Sequence, residues 1–171
     1  MFQGQDELAE LIGQLERHID TSSASLPEEV FLFISRLTPL VNVDLLIRDA
    51  SGRTLLTWRC DEFYGPGWHV PGGVIRYKEN ASERIRHVAN RELGASVAFD
   101  PSPLFVDEGI APMRRNRGHF VSLLYRCQLL TAPDEHRRCE SRDPISGEWR
   151  WHIGCPANLI PEQRAYAAFM A

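Results

Sequence analysis

The chain has 171 residues, of which 43% are hydrophobic and 25% charged, proportions that suit one globular domain with a full core and leave no need for a second. Its 23 acidic and 19 basic side chains give a net charge of −4, which argues against a broad basic face for nucleic acid, although a few local arginines can still hold individual phosphates. No apolar run approaches the roughly 18 residues of a membrane span, and the polar, acidic amino terminus lacks the pattern of an export signal, so a cytoplasmic protein with no membrane partner and with free thiols at Cys60, Cys127, Cys139 and Cys155 is expected.

In chain order, Leu8, Leu11, Ile12, Leu15 and Ile19 recur at helical spacing, predicting an amphipathic helix over 6–19. A short joint, Thr21 to Ser25, precedes a second helix over about 27–36, with Ser25 and Glu28 as a capping box around Pro27. These helices form an extension, 1–36, ahead of a main domain over 37–171. Their apolar stripes need cover, for which a second copy of the chain is one answer and the pocket of the main domain another. Val41, Val43, Leu45 and Ile47 alternate with Asn42, Asp44, Leu46 and Arg48, the pattern of a half-buried strand. A turn at 49–52 sends Arg53 to Cys60 back as its hairpin partner.

A Gly-Pro-Gly loop then leads into a strand at Trp68 to Val70, and further strands are predicted over 96–99, 103–107 and 119–130. Between the last two lies a basic run with Arg114, Arg115 and Arg117, either a solvated loop tip or an anion site. Residues 131–146 read as a polar surface loop, 149–152 as a short strand and 161–170 as a closing helix. The fold class that follows is α/β (α+β): an α-β-α sandwich with a mixed sheet, preceded by two helices.

The most informative stretch runs from Val70 to Gly94. Pro71, Gly72 and Gly73 break a strand, Glu79 follows, and Asn80 with Glu83 forms a capping box that should start a helix at about Ala81. Ile85, Val88, Ala89 and Leu93 make its apolar stripe, and Gly94 supplies a left-handed stop. Glu92 sits seven residues after Ile85, inside the stripe. An unpaired carboxylate is costly to bury, so Glu92 calls for a cation or a dedicated hydrogen-bond partner.

This stretch resembles the Nudix hydrolase box, G-x5-E-x7-R-E-U-x-E-E-x-G-U with U bulky and aliphatic. Gly73, Glu79, Glu92 and Gly94 occupy its first glycine, first glutamate, last glutamate and last glycine. His87, Val88, Arg91 and Ala95 depart from it. The flanks, Thr38 to Asp44, Gly52 to Arg59 and Gly67 to Gly73, are similar to the GDP-mannose mannosyl hydrolases, a subgroup that also lacks two of the box glutamates.

The resemblance implies a Mg²⁺-dependent enzyme, with Mn²⁺ as a substitute, acting on a nucleotide sugar such as GDP-mannose and working as a homodimer. It implies metal ligation by Glu92 and by a carbonyl of the Gly72 and Gly73 turn, assigned to Gly73, with Glu79 in a supporting role that a water-mediated metal contact would serve. With Val88 and Arg91 replacing box glutamates, a single ion is expected. In the subgroup, water attacks the sugar's anomeric carbon while cations stabilise the departing nucleoside diphosphate. Arg59 matches a phosphate-binding arginine, and Asp44 and His119 match substrate contacts. His136, in the loop before the final strand, is the candidate general base, with Glu135 and Glu148 as alternatives. Val74 and Phe120 replace further contacts, which leaves base and sugar open. His136-x2-Cys139 and His152-x2-Cys155 offer the residue types of a zinc site, but not one of its usual spacings.

Overall fold

The computed structural model describes residues 3–19, 26–141 and 143–171. Helices α1 (Gln3–Glu16) and α2 (Glu28–Ile34) come first, then strands β1 (Leu40–Ile47), β2 (Thr54–Arg59), β3 (Gly67–His69) and β4 (Gly72–Val74). Helix α3 (Ala81–Leu93) separates these from β5 (Val97–Phe99), β6 (Phe105–Ile110), β7 (His119–Leu129) and β8 (Trp149–His152). The predicted joint at 21–25, and with it Ser25 of the predicted capping box, lies outside the described residues. Helix α2 instead starts after Pro27, which stands at the N-cap without a side-chain cap.

The strands form two sheets rather than one. A five-stranded mixed sheet has the order β4-β1-β7-β5, with β6 beside β5 on the free edge of β7, and a three-stranded antiparallel sheet has the order β3-β2-β8. The predicted β1–β2 hairpin survives as a single bridge, Arg48 to Thr54. Past it β2 crosses to the second sheet, and β1 instead pairs in parallel with β7 along its whole length.

Burial explains the departure. The expected alternation does not hold: Val41 is exposed at the start of β1, and Val43 through Ile47 are buried on both faces, as expected of a strand between two neighbours in a covered sheet. One face packs Val43, Leu45, Ile47 and Tyr125 against Ile85, Val88, Ala89 and Leu93 of α3. On the other, Leu46, Leu56 and Leu124 meet Tyr166 and Met170 of the closing segment, Pro161–Phe169, which is a 3-10 helix rather than an α-helix.

Helix α3 follows its local code. The Asn80 side chain accepts from the Glu83 amide, Glu83 accepts from the Asn80 amide, and Gly94 closes the helix at φ 62°. The 131–146 segment holds one short 3-10 turn, Glu135–Arg137, which docks on the end of α3: Asp134 N donates to Leu93 O and Arg137 Nη1 to Arg91 O (both 2.7 Å). A cation there meets the negative end of the helix. The four cysteines are free. Among the described residues no helix is long and apolar enough to cross a membrane.

Candidate active site

Where the two sheets part, a cavity of about 840 Å³ opens, lined by residues of α2, β1, β2, β4, α3, β6 and the β6–β7 loop. Its floor is the bend between β3 and β4. Leu45 N donates to Pro71 O and Ile75 N to Val41 O, so by the alternation of antiparallel pairing Gly73 exchanges its backbone bonds with Val43. Gly72 therefore turns its N–H and C=O away from β1, toward α3, and its N–H points at Glu92 Oε1 3.4 Å away. Within the Gly72 and Gly73 turn expected to supply a carbonyl, it is the Gly72 carbonyl that this register turns toward Glu92. Gly72 needs glycine for space, since a Cβ there would overlap Asp44 Oδ1, and one on Gly73 would press on Val88 Cγ2 at 3.0 Å.

Glu92 points into this floor. Burial pushes its pKa up from 4.5 to about 7, against the opposing pull of Thr57, the Gly72 amide and Arg59. Thr57 Oγ1 lies 3.2 Å from Glu92 Oε2 and 2.9 Å from His69 Nε2, and His69 Nδ1 lies 2.9 Å from Val70 O. Val70 O can only accept, so Nδ1 carries the imidazole proton. With burial holding His69 down at about 4, Nε2 is left an acceptor. Thr57 has one hydroxyl proton for two acceptors, and the competition is relieved when Glu92 is protonated or when a cation takes its charge.

Asp44 lies across the floor, also pushed by burial to about 7, and accepts from Tyr166 Oη at 2.7 Å. Arg59 reaches the same space, ion-paired with Asp61 and stacked 4.4 Å from the centre of the Tyr64 ring. Its charge is felt at Glu92, Asp44 and His69 alike.

Glu79 is engaged elsewhere. Its Oε2 accepts from the Arg76 amide at 2.8 Å and from Arg84 Nε at 2.7 Å, and its Oε1 meets His87 Nδ1 at 2.9 Å. Burial raises its pKa, but these partners outweigh it and bring the carboxyl below its ordinary range. The Glu79 and Arg84 side chains are only 10% and 11% exposed, so removing either strands a charge, at about 3–5 kcal/mol. Glu79 thus fastens the turn after β4 to α3, and His87, which departs from the box, shares that task.

Besides Glu79, two of the candidate residues are not brought to the cavity. His136 is exposed on the short 3-10 turn, where its neighbour Arg137 lines the wall instead. His119 pairs with Glu108 at 3.1 Å, and the adjacent Phe120 and Ser122 face the cavity. Strand alternation explains the second case and the outward winding of the turn the first. Among the described residues no three His, Cys, Asp or Glu side chains gather as a metal cluster, and the two His-x2-Cys pairs stay apart.

The donors present suit one hard divalent ion with few protein ligands: a half-buried carboxyl without an ion-pair partner among the described residues, a carbonyl at a bend bare of side chains, and room for waters. Sequence reasoning missed Thr57, His69, Arg84 and Tyr166. The only signal each gave was a polar residue in an apolar run or near the chain's end.

No family model matches the chain. The low-salt glycan biosynthesis protein Agl8 of Haloferax volcanii is 35% identical over 81 residues, 47% of this chain and 51% of that protein, so the match spans about half the length of the curated relative. Among solved structures, a MutT Nudix hydrolase of Burkholderia pseudomallei is similar at a TM-score of 0.58 and 23% identity, over 77% of this chain and 97% of that one. A UDP-X diphosphatase is similar at 0.54 and 18%, over 93% and 73%. The chain has the Nudix hydrolase fold.

Proposed function

We propose that the protein is a divalent-metal-dependent hydrolase of a nucleoside diphosphate derivative, with a nucleotide sugar as its substrate class. The observation that carries this reading is the half-buried carboxyl of Glu92 beside the Gly72 carbonyl, with no ion-pair partner among the described residues, on the floor of an arginine-lined cavity of about 840 Å³. That volume suits a ligand of nucleotide size. The solved structures support the diphosphate chemistry through their fold, and the curated relative's place in glycan biosynthesis is consistent with a sugar.

Glu92 and the Gly72 carbonyl would hold Mg²⁺, or Mn²⁺ in its place, which when bound supplies positive charge to the diphosphate. Thr57 and the Gly72 amide orient the Glu92 carboxyl. Arg59 is placed to take phosphoryl oxygens and so to favour the charge that develops on a leaving nucleoside diphosphate. Asp44, held by Tyr166, is placed to receive a hydroxyl of the sugar or ribose. Val88, where the box has a glutamate, packs in the core, and Arg91, where it has another, lines the cavity. This favours one ion and attack at the anomeric carbon: water's oxygen bonds to that carbon and gives up a proton to solvent, the bond to the phosphoryl oxygen breaks, and the nucleoside diphosphate leaves with the electron pair. His136, outside the cavity wall, is given no step here.

The second reading is attack at phosphorus, favoured by the similarity to a diphosphatase over 93% of this chain. Turnover of a panel of nucleotide sugars with Mg²⁺ in ¹⁸O-water tests both. Label in the sugar is the expected result, label in phosphate selects the second reading, and absence of turnover across the panel overturns the enzyme.

Residues 37–171 would form the hydrolase unit, with 1–36 as an extension. A homodimer is part of the proposal, supported by the exposed stripe of Leu8, Leu11, Ile12 and Leu15 on α1.

A further inference from the structure

Three guanidinium groups crowd one aromatic ring at the cavity's upper end. Arg59, Arg114 and Arg117 lie 4.4, 4.5 and 5.1 Å from the centre of Tyr64. Asp61 answers Arg59 and Glu162 answers Arg114. Among the described residues no carboxylate lies within ion-pairing distance of Arg117, and its buried Nε has no hydrogen-bond partner.

Arg117 is nonetheless held in place. Its backbone adopts φ 54°, a left-handed conformation that costs a side-chain-bearing residue free energy unless the surroundings impose it. Its amide donates to Ser35 Oγ at the end of α2, and Arg36 Nη1 donates to Asn116 Oδ1 at 2.9 Å. Phe31 of α2 sits 5.6 Å beneath the Arg117 guanidinium and also lines the cavity. The β6–β7 loop is thus shaped and propped by the N-terminal extension, so that a stacked cation without a counter-charge faces the cavity.

We propose that Arg117, braced by α2 and assisted by Arg114, is an anion clamp for a phosphoryl group of the ligand. The identity of that ligand rests on the function proposed above; the clamp itself does not require catalysis. A planar guanidinium whose face is occupied by aromatic rings still offers its edge N–H groups, which match phosphoryl oxygens in pairs. Neither Arg114 nor Arg117 belongs to the Nudix box, and the bracing comes from residues ahead of β1.

The test is pyrophosphate binding to the full-length protein in EDTA, followed by calorimetry at low and moderate salt. The wild type should bind saturably and more weakly as salt rises. Arg117→Gln should weaken binding by about tenfold or more and Arg117→Lys by roughly threefold, since lysine keeps the charge but not the fork. Arg86→Gln, which removes an equal charge from the exposed side of α3 outside the cavity, should bind as the wild type does. Wild-type affinity in Arg117→Lys and Arg117→Gln overturns the clamp, as does absence of saturable binding to the wild type. Should the glutamine variant not fold, the lysine variant decides by the same comparison. A protein that binds pyrophosphate through Arg117 yet turns over no nucleotide sugar keeps the clamp and sinks the enzymatic reading, so the two fail separately.

Discussion

At the scale of single residues, Glu92 ties the candidate site to the stability of the fold. Burial raises its pKa from 4.5 to about 7, so the folded, metal-free protein keeps a proton that the unfolded chain has already lost. This contribution to stability is complete below pH 4.5 and disappears as pH rises through 7. Asp44, raised from 3.8 to about 7, acts in the same direction. His69 and His152, lowered by burial from 6.5 to about 4, act in the opposite one: their contribution is complete above 6.5 and lost as pH falls through 4.

The two effects offset each other between pH 4.5 and 6.5, and the carboxyl cost is left uncompensated above pH 7. Glutamine at position 92 mimics the protonated acid. Glu92→Gln should therefore stabilise the metal-free protein at pH 8 by up to the order of 3 kcal/mol, with the gain closing toward pH 4.5. Thermal unfolding at the two pH values checks this, and an equal gain at both would contradict it.

At the scale of elements, what could be read from the sequence was what short range decides. The start, the end and the buried face of α3 are written in Asn80, Glu83, Gly94 and the spacing of its apolar residues, and the structure reproduces them. Asn80→Ala removes one half of the capping box and should cost about 1 kcal/mol, or about 2–4 °C in a chain of this length, measured as a fall in Tm with the metal absent. An unchanged Tm would mean that packing alone starts the helix.

Strand pairing was less legible. The alternation in β1 hid a strand covered on both faces, and the natural partner by proximity, β2, lies in the other sheet, where it pairs with β3 and with β8 nearly a hundred residues away. The same distance explains what was missed at the site. Tyr166 reaches Asp44 across 122 positions, and Glu92 meets Thr57 across 35. No local pattern encodes such contacts. His136 stands in the loop where the resembled subgroup carries its histidine, but a match by position says nothing about which way a surface turn winds.

At the scale of the whole molecule, the fold brings one carboxyl, one bare bend and a set of arginines to the seam where two sheets separate. The N-terminal extension is part of this arrangement, since α2 supplies Phe31 to the wall and Ser35 to the loop that carries Arg117. The cationic rim and the buried acidic floor are complementary to a diphosphate bound with a divalent ion, while the net charge of −4 disfavours long polyanions. Metal and diphosphate should accordingly bind cooperatively, each providing charge the other needs.

Titration with Mn²⁺ in the presence of a nucleoside diphosphate, followed by electron paramagnetic resonance, tests the central claim most directly. The wild-type protein should take up a single ion, and Glu92→Gln should lose at least about tenfold in affinity, the cost of one charged ligand. Equal affinity in a folded Glu92→Gln variant would contradict the assignment of this carboxyl to the metal.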